Sequence, residues 1–311
     1  MKEKLVATAT SLSIRTTVGI PLHRSGPWIE NVRQNILEMS EVAHVCVSDA
    51  TKSDDTLARL EREFDGNERV SFIGKRTLER GWVAHCNDLK ARAQTPFFMW
   101  LPHDDLVRRG WVVSGEGSLD ANPAATLAVG SLRLVAKGTD DEVLHPNSDD
   151  AHADRAHRIR EALTRQFATR YPGFGHAFRS VQRQSLTTLM PEDTARYSRG
   201  QSGWKADVLW AVRQLAIGPF ASMDEEYVKQ ILSVSASASW RQENLTSGFR
   251  RAMLEQSPEL TAEEREEILF ALWEAEAISL RRGLGQRRNA RHGDERNHGE
   301  LIAGGGGTDA G

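Results

Sequence analysis

The chain has 311 residues, of which 27% are charged and 39% hydrophobic, and its formal net charge at pH 7 is −3. A chain of this length buries roughly three quarters of the surface that it exposes when unfolded, which suffices for one large or two modest domains. The small negative charge gives no electrostatic basis for binding nucleic acid, so we expect no nucleic-acid partner.

The sequence also argues against a secreted or membrane-spanning protein. It carries neither a charged-then-apolar leader at its beginning nor a continuous apolar run of about 18 residues. Its two cysteines, Cys46 and Cys86, fall inside predicted elements, which is typical of small core residues in a reducing compartment. We therefore expect a cytoplasmic protein without a transmembrane segment.

The first third of the chain alternates short apolar segments with amphipathic ones. Four segments are predicted strands, the first of them ended by its proline: Val18–Pro21, Val42–Val47, Val70–Ile73 and Phe97–Leu101. Helices are predicted after Ser25-Gly26-Pro27, through Leu57, Leu60 and Phe64, and from Gly81 to about Arg92. Strands that alternate with helices need crossover connections, so we predict an α/β fold with a mainly parallel sheet and helices on both faces.

A proline, a histidine and two carboxylates follow the fourth predicted strand: Pro102, His103, Asp104 and Asp105. Carboxylates just past a buried strand lie where α/β sheets bind ligands. Adjacent carboxylates suit a hard divalent cation, which commonly shares its ligands with substrate phosphates. The alternative is that both aspartates merely cap the helix predicted to begin near Gly110.

Four motifs in this order resemble the nucleotide-binding half of a family 2 glycosyltransferase with the GT-A fold. They are a V-x-I-P-like strand end at Val18–Arg24, a D-x-x-S-x-D-x-T-like turn at Asp49–Thr56, a G-x-x-x-x-x-N helix with Gly81 and Asn87, and a D-x-D-like motif at Leu101–Asp105. The resemblance covers residues 16 to about 135. Pro102 stands where the first aspartate of D-x-D would be, so the motif resembles the H-D-D version of a bacterial subset.

The resemblance implies roles for the first half of the chain. A nucleotide-sugar donor would lie on Pro21 and Leu22, with Asp49 reaching its base or ribose and with Asn87, His103 and Asp104 around it. Asp104, with Asp105 as a second or water-bridged ligand, would hold Mg²⁺ or Mn²⁺. Taken without the family, Asp49 is equally well a turn residue bonded to its own backbone. The family's R-x-H segment, whose histidine helps to hold the metal, has no match in Val228-Lys229-Gln230.

The second half would supply the acceptor side. An inverting transfer needs a base for the proton of the acceptor hydroxyl. Asp207 opens a helix that resembles the family's D-x-x-L-x-x-x-L-A-x-x-G pattern, and it is our choice for the base, ahead of Glu192 and Asp193. A plain role for Asp207 at a helix N-terminus is the alternative.

A further helix over Asp154–Tyr171 carries arginines largely off its apolar stripe. They form a solvated face or, alternatively, a peripheral contact with anionic lipid, where a lipid-linked acceptor would be found. The acceptor expected is a glycan or a lipid-linked saccharide.

We predict a nucleotide-sugar-binding half over residues 1–135, an acceptor-side half with C-terminal helices over 136–283, and a disordered tail over 284–311. Three other functions remain open. They are a nucleotidyltransferase, a catalytically inactive nucleotide- or glycan-binding protein, and a structural interaction protein.

Overall fold

The computed structural model describes residues 13–50, 55–74, 81–136, 142–145, 154–168, 177–192, 206–231, 260–270, 273–274 and 277. The predicted tail over 284–311 and Asp193 lie outside these ranges. The described strands are β1 Thr16–Leu22, β2 His44–Asp49, β3 Val70–Ile73, β4 Phe97–Trp100, β5 Asp105–Val107, β6 Leu127–Ala136, β7 Glu142–His145, β8 Val181–Arg183 and β9 Phe220–Ile231. The helices are α1 Ile29–Ser40, α2 Thr56–Glu63, α3 Gly81–Arg92, α4 Arg109–Ala121, α5 Arg155–Ala168 and α6 Ala206–Ile217, and residues 262–270 are also helical.

The strands form one sheet in the order β3-β2-β1-β4-β8-β6-β9-β5, with β7 beside β6. The four strands of the first part pair in parallel. Strand β9 is parallel to β6, whereas β8 runs antiparallel to both β4 and β6. Strand β5 is antiparallel to β9. The predicted α/β fold is confirmed, and β6, at the predicted boundary near residue 135, pairs with strands of the second half.

Strand β4 shows how both faces of the sheet become buried. Phe98 and Trp100 point into one hydrophobic cluster, while Phe97 and Met99 point into the other, because successive side chains of a strand alternate between the two faces. The ring of Trp100 stacks on Phe178 with the centroids 5.0 Å apart. An apolar run of this kind is what a strand covered by helices on both faces requires.

Pro21 does not end β1, contrary to the sequence-based expectation. The strand continues to Leu22 and pairs with β2 from Thr17 to Leu22, whereas its pairing with β4 stops at Gly19. The missing N–H of Pro21 therefore falls where one neighbouring ladder has already ended, so the proline costs no strand hydrogen bond.

The structure also decides the capping alternative for the paired aspartates. The residue at the N-cap of α4 is Arg108, and Asp105 belongs to β5. Neither aspartate caps the helix, so the capping interpretation is wrong. The strand that carries Asp105 instead pairs with β9, far along the chain.

In the second half, helix N-termini form at capping residues, but the burial of one arginine differs from the expectation. Asp154 caps α5 through its carboxylate, and Thr261 and Glu264 form a capping box with bonds of 2.7 and 3.2 Å. Arg158 is one of the arginines expected on a solvated or lipid-contacting face of this helix, but it is buried and donates to the carbonyl oxygen of Leu215. Within the described ranges no helix has both the length and the apolar character that crossing a membrane requires.

Candidate functional site

The residues predicted to bind the donor lie at one edge of the sheet. Leu22 is paired with Asp49 in the β1–β2 ladder, and the amide N–H of Ala50 donates to the carbonyl oxygen of Leu22 at 3.0 Å. On the other side of β1, the amide N–H of Leu101 donates to the carbonyl oxygen of Gly19 at 2.9 Å. The parallel ladders therefore bring Pro21, Leu22 and the buried Asp49 beside the turn that carries His103 and Asp104.

His103 connects the turn after β4 to the turn after β1. Its Nδ1 lies 2.8 Å from the hydroxyl oxygen of Ser25, and its ring lies nearly parallel to Trp28, with the centroids 6.4 Å apart. Burial lowers the pKa of His103, against the charges of Asp104 and Asp105, which raise it. An imidazole held in this way fixes the turn after β4 against the turn after β1.

Asp105 lies inside the protein, not at its surface. Its side chain is fully buried, and one of its carboxylate oxygens accepts hydrogen bonds from the Arg179 guanidinium at 2.5 Å and the Tyr227 hydroxyl at 3.2 Å. Burial raises the pKa of Asp105, and the charges of Arg179 and Lys229 act against it. Asp105 is therefore one half of a buried ion pair that joins β5 to the chain before β8 and to β9.

Asp104 is partly exposed and faces a different cation. Its side chain is 29% exposed, and its carboxylate lies 3.8 Å from the ammonium nitrogen of Lys229 on β9. Lys229 stands directly opposite Asp105 in the β5–β9 ladder. The positive charge of Arg179, followed by burial, lowers the pKa of Lys229, while the nearby aspartates raise it.

Asp207 lies in the first turn of α6, within electrostatic reach of this cluster. Its charge is among those that raise the pKa of Lys229, after the lowering effects of Arg179 and burial. Burial raises the pKa of the Cys86 thiol, and the negative charge of Asp207 raises it further. Asp207 is therefore close enough to Lys229 for their charges to interact, and its role as the base stays a prediction.

The side-chain amide of Asn87 forms its hydrogen bonds with other parts of the protein. It exchanges hydrogen bonds with the backbone of Met190, at 2.8 and 2.9 Å, and its nitrogen lies 3.4 Å from a carboxylate oxygen of Glu192. The side chain is only 3% exposed. Asn87 therefore holds the segment that carries Glu192, and a direct contact between Asn87 and the donor stays a prediction.

The carboxylate oxygens of Asp104 and Asp105 are not arranged to hold a divalent cation between them. Asp105 is buried and one of its carboxylate oxygens is bonded to Arg179, while the carboxylate of Asp104 faces Lys229. A divalent cation there would lie beside the two existing positive charges, those of Arg179 and Lys229. Among the described residues no group of three or more His, Cys, Asp or Glu side chains is arranged to hold a metal. The Mg²⁺ or Mn²⁺ expected from the resemblance stays a prediction that these contacts do not favour.

The sequence did not point to Arg179, Tyr227 and Lys229 as members of the site. The signal for Lys229 was present, since it stands in the segment where the family carries its R-x-H histidine. Arg179 follows the buried Phe178 and precedes the buried Ser180, a setting in which an arginine needs a partner. Neither feature of the sequence indicates which carboxylate the cation pairs with. That pairing depends on the order of the strands in the sheet.

No family model and no curated protein matches the sequence. Solved structures of S. aureus TarS do match. The structure of TarS residues 1–349 has a TM-score of 0.58 at 14% identity, with 84% of this chain and 71% of that chain covered. Its complex with UDP gives 0.57 at 14% identity over 83% and 70%, and its complex with UDP-GlcNAc gives 0.58 at 14% identity over 84% and 72%.

A longer TarS structure gives a TM-score of 0.58 at 13% identity, and there the match covers 43% of the TarS chain. Likeness at this level of identity shows the fold alone. TarS is a GT-A-like glycosyltransferase, so the GT-A-like fold predicted from the four motifs is confirmed.

Proposed function

We propose that this protein is a glycosyltransferase that moves a sugar from a nucleoside diphosphate donor to a hydroxyl acceptor. One observation carries the proposal: Pro21, Leu22 and Asp49 converge with Asp104 at the carboxyl edge of a GT-A-like sheet. This is the edge at which open α/β sheets bind nucleotides. TarS, which shares the fold, has been crystallised with UDP and with UDP-GlcNAc, which supports a nucleotide sugar as donor.

The roles follow from the chemistry of the transfer. Asp49 binds the base or ribose, and Pro21 with Leu22 forms the floor on which the nucleotide lies. Asp207 takes the proton from the acceptor hydroxyl, because the step needs a base such as a carboxylate and the charge of Asp207 acts on Lys229, the partner of Asp104. We propose inversion at the sugar carbon, an acceptor that is a glycan or lipid-linked saccharide, membership in family 2 with the H-D-D motif, and a place in polysaccharide synthesis in the cytoplasm.

The first prediction concerns donor binding. We expect at least one of UDP, GDP, dTDP or their sugars to raise the melting temperature, because a ligand that binds only the native state stabilises it by about 2.7 kcal/mol at a hundred times its Kd. A thermal-shift series with and without Mg²⁺ or Mn²⁺ measures this, with free sugars as the control. Absence of any shift at millimolar nucleotide, with either metal, would contradict the proposed function.

The second prediction tests Asp207 as the general base. Asp207→Asn keeps the shape of the side chain and removes its basicity, so we expect donor affinity to stay while kcat falls by roughly a hundredfold or more. The measurement is the release of nucleoside diphosphate with a sugar acceptor present.

Glu192→Gln is the matched variant, because Glu192 is the other described carboxylate that was a candidate. Loss of turnover in Glu192→Gln, with Asp207→Asn unaffected, would transfer the role to Glu192.

A second candidate function is a binding protein of the same fold that does not catalyse. The observation that favours it is that both carboxylates of the His103-Asp104-Asp105 motif already face a cation of the protein. Such a protein would show the donor shift in the thermal series. It would release no nucleoside diphosphate with any acceptor, and Asp207→Asn would then change nothing that can be measured.

A further inference from the structure

The described positive charges beside Asp104 and Asp105 are those of two protein side chains, Lys229 and Arg179. We propose that the Lys229 ammonium contacts the diphosphate of the donor and offsets the charge that develops as it leaves, the role that the sequence assigned to Mg²⁺ or Mn²⁺. The inference rests on the proposed function and concerns its leaving-group side.

The first argument is that Asp105 is not free to bind a metal. Its side chain has no exposed surface, and the Arg179 guanidinium and the Tyr227 hydroxyl both bond to its carboxylate. Arg179 is itself only 10% exposed along its side chain. The other carboxylate oxygen, Oδ1, accepts no hydrogen bond from a described residue but is equally buried, so a metal would have to enter the interior beside the charge of Arg179.

The second argument is that the Lys229 ammonium has hydrogen-bond donors available for a ligand. Its ammonium is 3.8 Å from the Asp104 carboxylate, a separation that gives electrostatic attraction without a hydrogen bond. No hydrogen bond to another described side chain uses its three N–H donors. A quarter of the Lys229 side chain is exposed, which leaves room for the ammonium to turn towards a ligand at this edge of the sheet while Asp104 keeps it nearby.

The third argument is the place of Lys229 in the sheet. It pairs with Asp105 in the β5–β9 ladder, and the next residue along, Gln230, donates its amide N–H to the carbonyl oxygen of Asp104 at 3.3 Å. The backbone of β9 is therefore fixed to the turn after β4. An ammonium is a compact charge suited to phosphate, and this ladder holds it at the edge where the nucleotide is proposed to bind.

The transfer balances without a metal ion. The bond between the anomeric carbon and the diphosphate oxygen breaks, and both electrons stay with that oxygen, whose negative charge Lys229 offsets. The acceptor oxygen bonds to the anomeric carbon from the opposite side, and its proton passes to the carboxylate of Asp207. Preorganised positive charge at a leaving oxygen is the largest single contribution in many such reactions.

The test measures donor binding and turnover with EDTA present and with Mg²⁺ or Mn²⁺ added. We expect the wild-type protein to bind its nucleoside diphosphate and to turn over equally under all three conditions. In Lys229→Gln we expect kcat to fall by about a hundredfold or more, with the preference for diphosphate over monophosphate lost. Lys229→Arg, which keeps the charge, should recover part of the turnover.

Arg133→Gln is the matched control, since it also removes one cation beside β9. Arg133 pairs with Glu226 at 2.7 Å, and Glu226 points to the face of β9 opposite Lys229, because side chains alternate along a strand. Binding and turnover in Arg133→Gln should match the wild type.

Three results would overturn the inference. If EDTA abolishes binding by the wild-type protein and a metal restores it, the cation is the metal, and this measurement needs no variant. If Lys229→Gln keeps its turnover and its preference for diphosphate, Lys229 has no part in the step. If no nucleotide binds the wild-type protein with EDTA or with metal, the proposed function itself is wrong and the inference fails with it.

Discussion

Asp105→Asn should lower the free energy of unfolding by about 3–5 kcal/mol, the usual cost of breaking a buried ion pair by removing one partner. The substitution keeps the size of the side chain but leaves the buried Arg179 guanidinium without its counter-charge. Tyr227 also loses a charged acceptor for its hydroxyl. Urea denaturation measures the change, provided that the unfolding free energy of both proteins depends on urea concentration with the same slope.

Asp104→Asn is the matched control, because it makes the same substitution one residue earlier. Asp104 is partly exposed, and its ion pair with Lys229 is long, so its loss should cost no more than about 1 kcal/mol. Equal losses of stability in the two variants would contradict the different roles that the structure gives to these neighbours. A stable Asp105→Asn variant would show that the buried pair contributes little.

The second large effect should come from Lys90 as a rise in stability between about pH 7 and pH 10. This lysine is 4% exposed, and its ammonium donates to Gln182 at 2.5 Å and to Thr187 at 2.6 Å. The rings of Phe98, Trp100 and Trp210 surround it at 5.5 to 5.9 Å. Burial lowers the pKa of Lys90 to about 7.

The direction of the effect follows from proton binding. In the unfolded chain a lysine keeps its proton up to about pH 10.4, so between these two pH values the unfolded state binds more protons than the folded state. Stability therefore rises with pH across this interval, and below about pH 7 Lys90 contributes no further change. The gain is at most on the order of 4 kcal/mol, since the aromatic faces attract the ammonium and offset part of its burial.

Lys90→Met provides the comparison, because methionine fills the space with an unbranched side chain that does not titrate. The difference in unfolding free energy between wild type and variant, measured from pH 6 to pH 10, isolates Lys90 from the cysteines and tyrosines that titrate in the same interval. We expect the difference to grow in favour of the wild type as the pH rises. Parallel curves would contradict a lowered pKa for Lys90.

Much of the first half could be predicted from the sequence because its signals are local. The β3 and α3 predictions agree with the structure residue for residue, and the apolar positions Leu57, Leu60 and Phe64 are buried as expected. Periodicity and caps depend on neighbours in the chain, so they are visible without the fold. The order of the motifs likewise led to the GT-A-like fold and to Asp49 beside Leu22 at one edge of the sheet.

The roles of the paired aspartates could not be predicted in this way. In the sequence Asp104 and Asp105 look equivalent, but one is partly exposed beside Lys229 and the other is buried against Arg179. The same limit applies to Pro21, which remains in its strand only because the β4 ladder ends before it. The sequence by itself determined most helices and strands of the first half and the edge of the sheet at which the motifs lie. The charge pairs were decided by the tertiary structure, in which β5 pairs with β9. Electrostatic partners depend on distance in space and on burial, which the order of residues does not reveal.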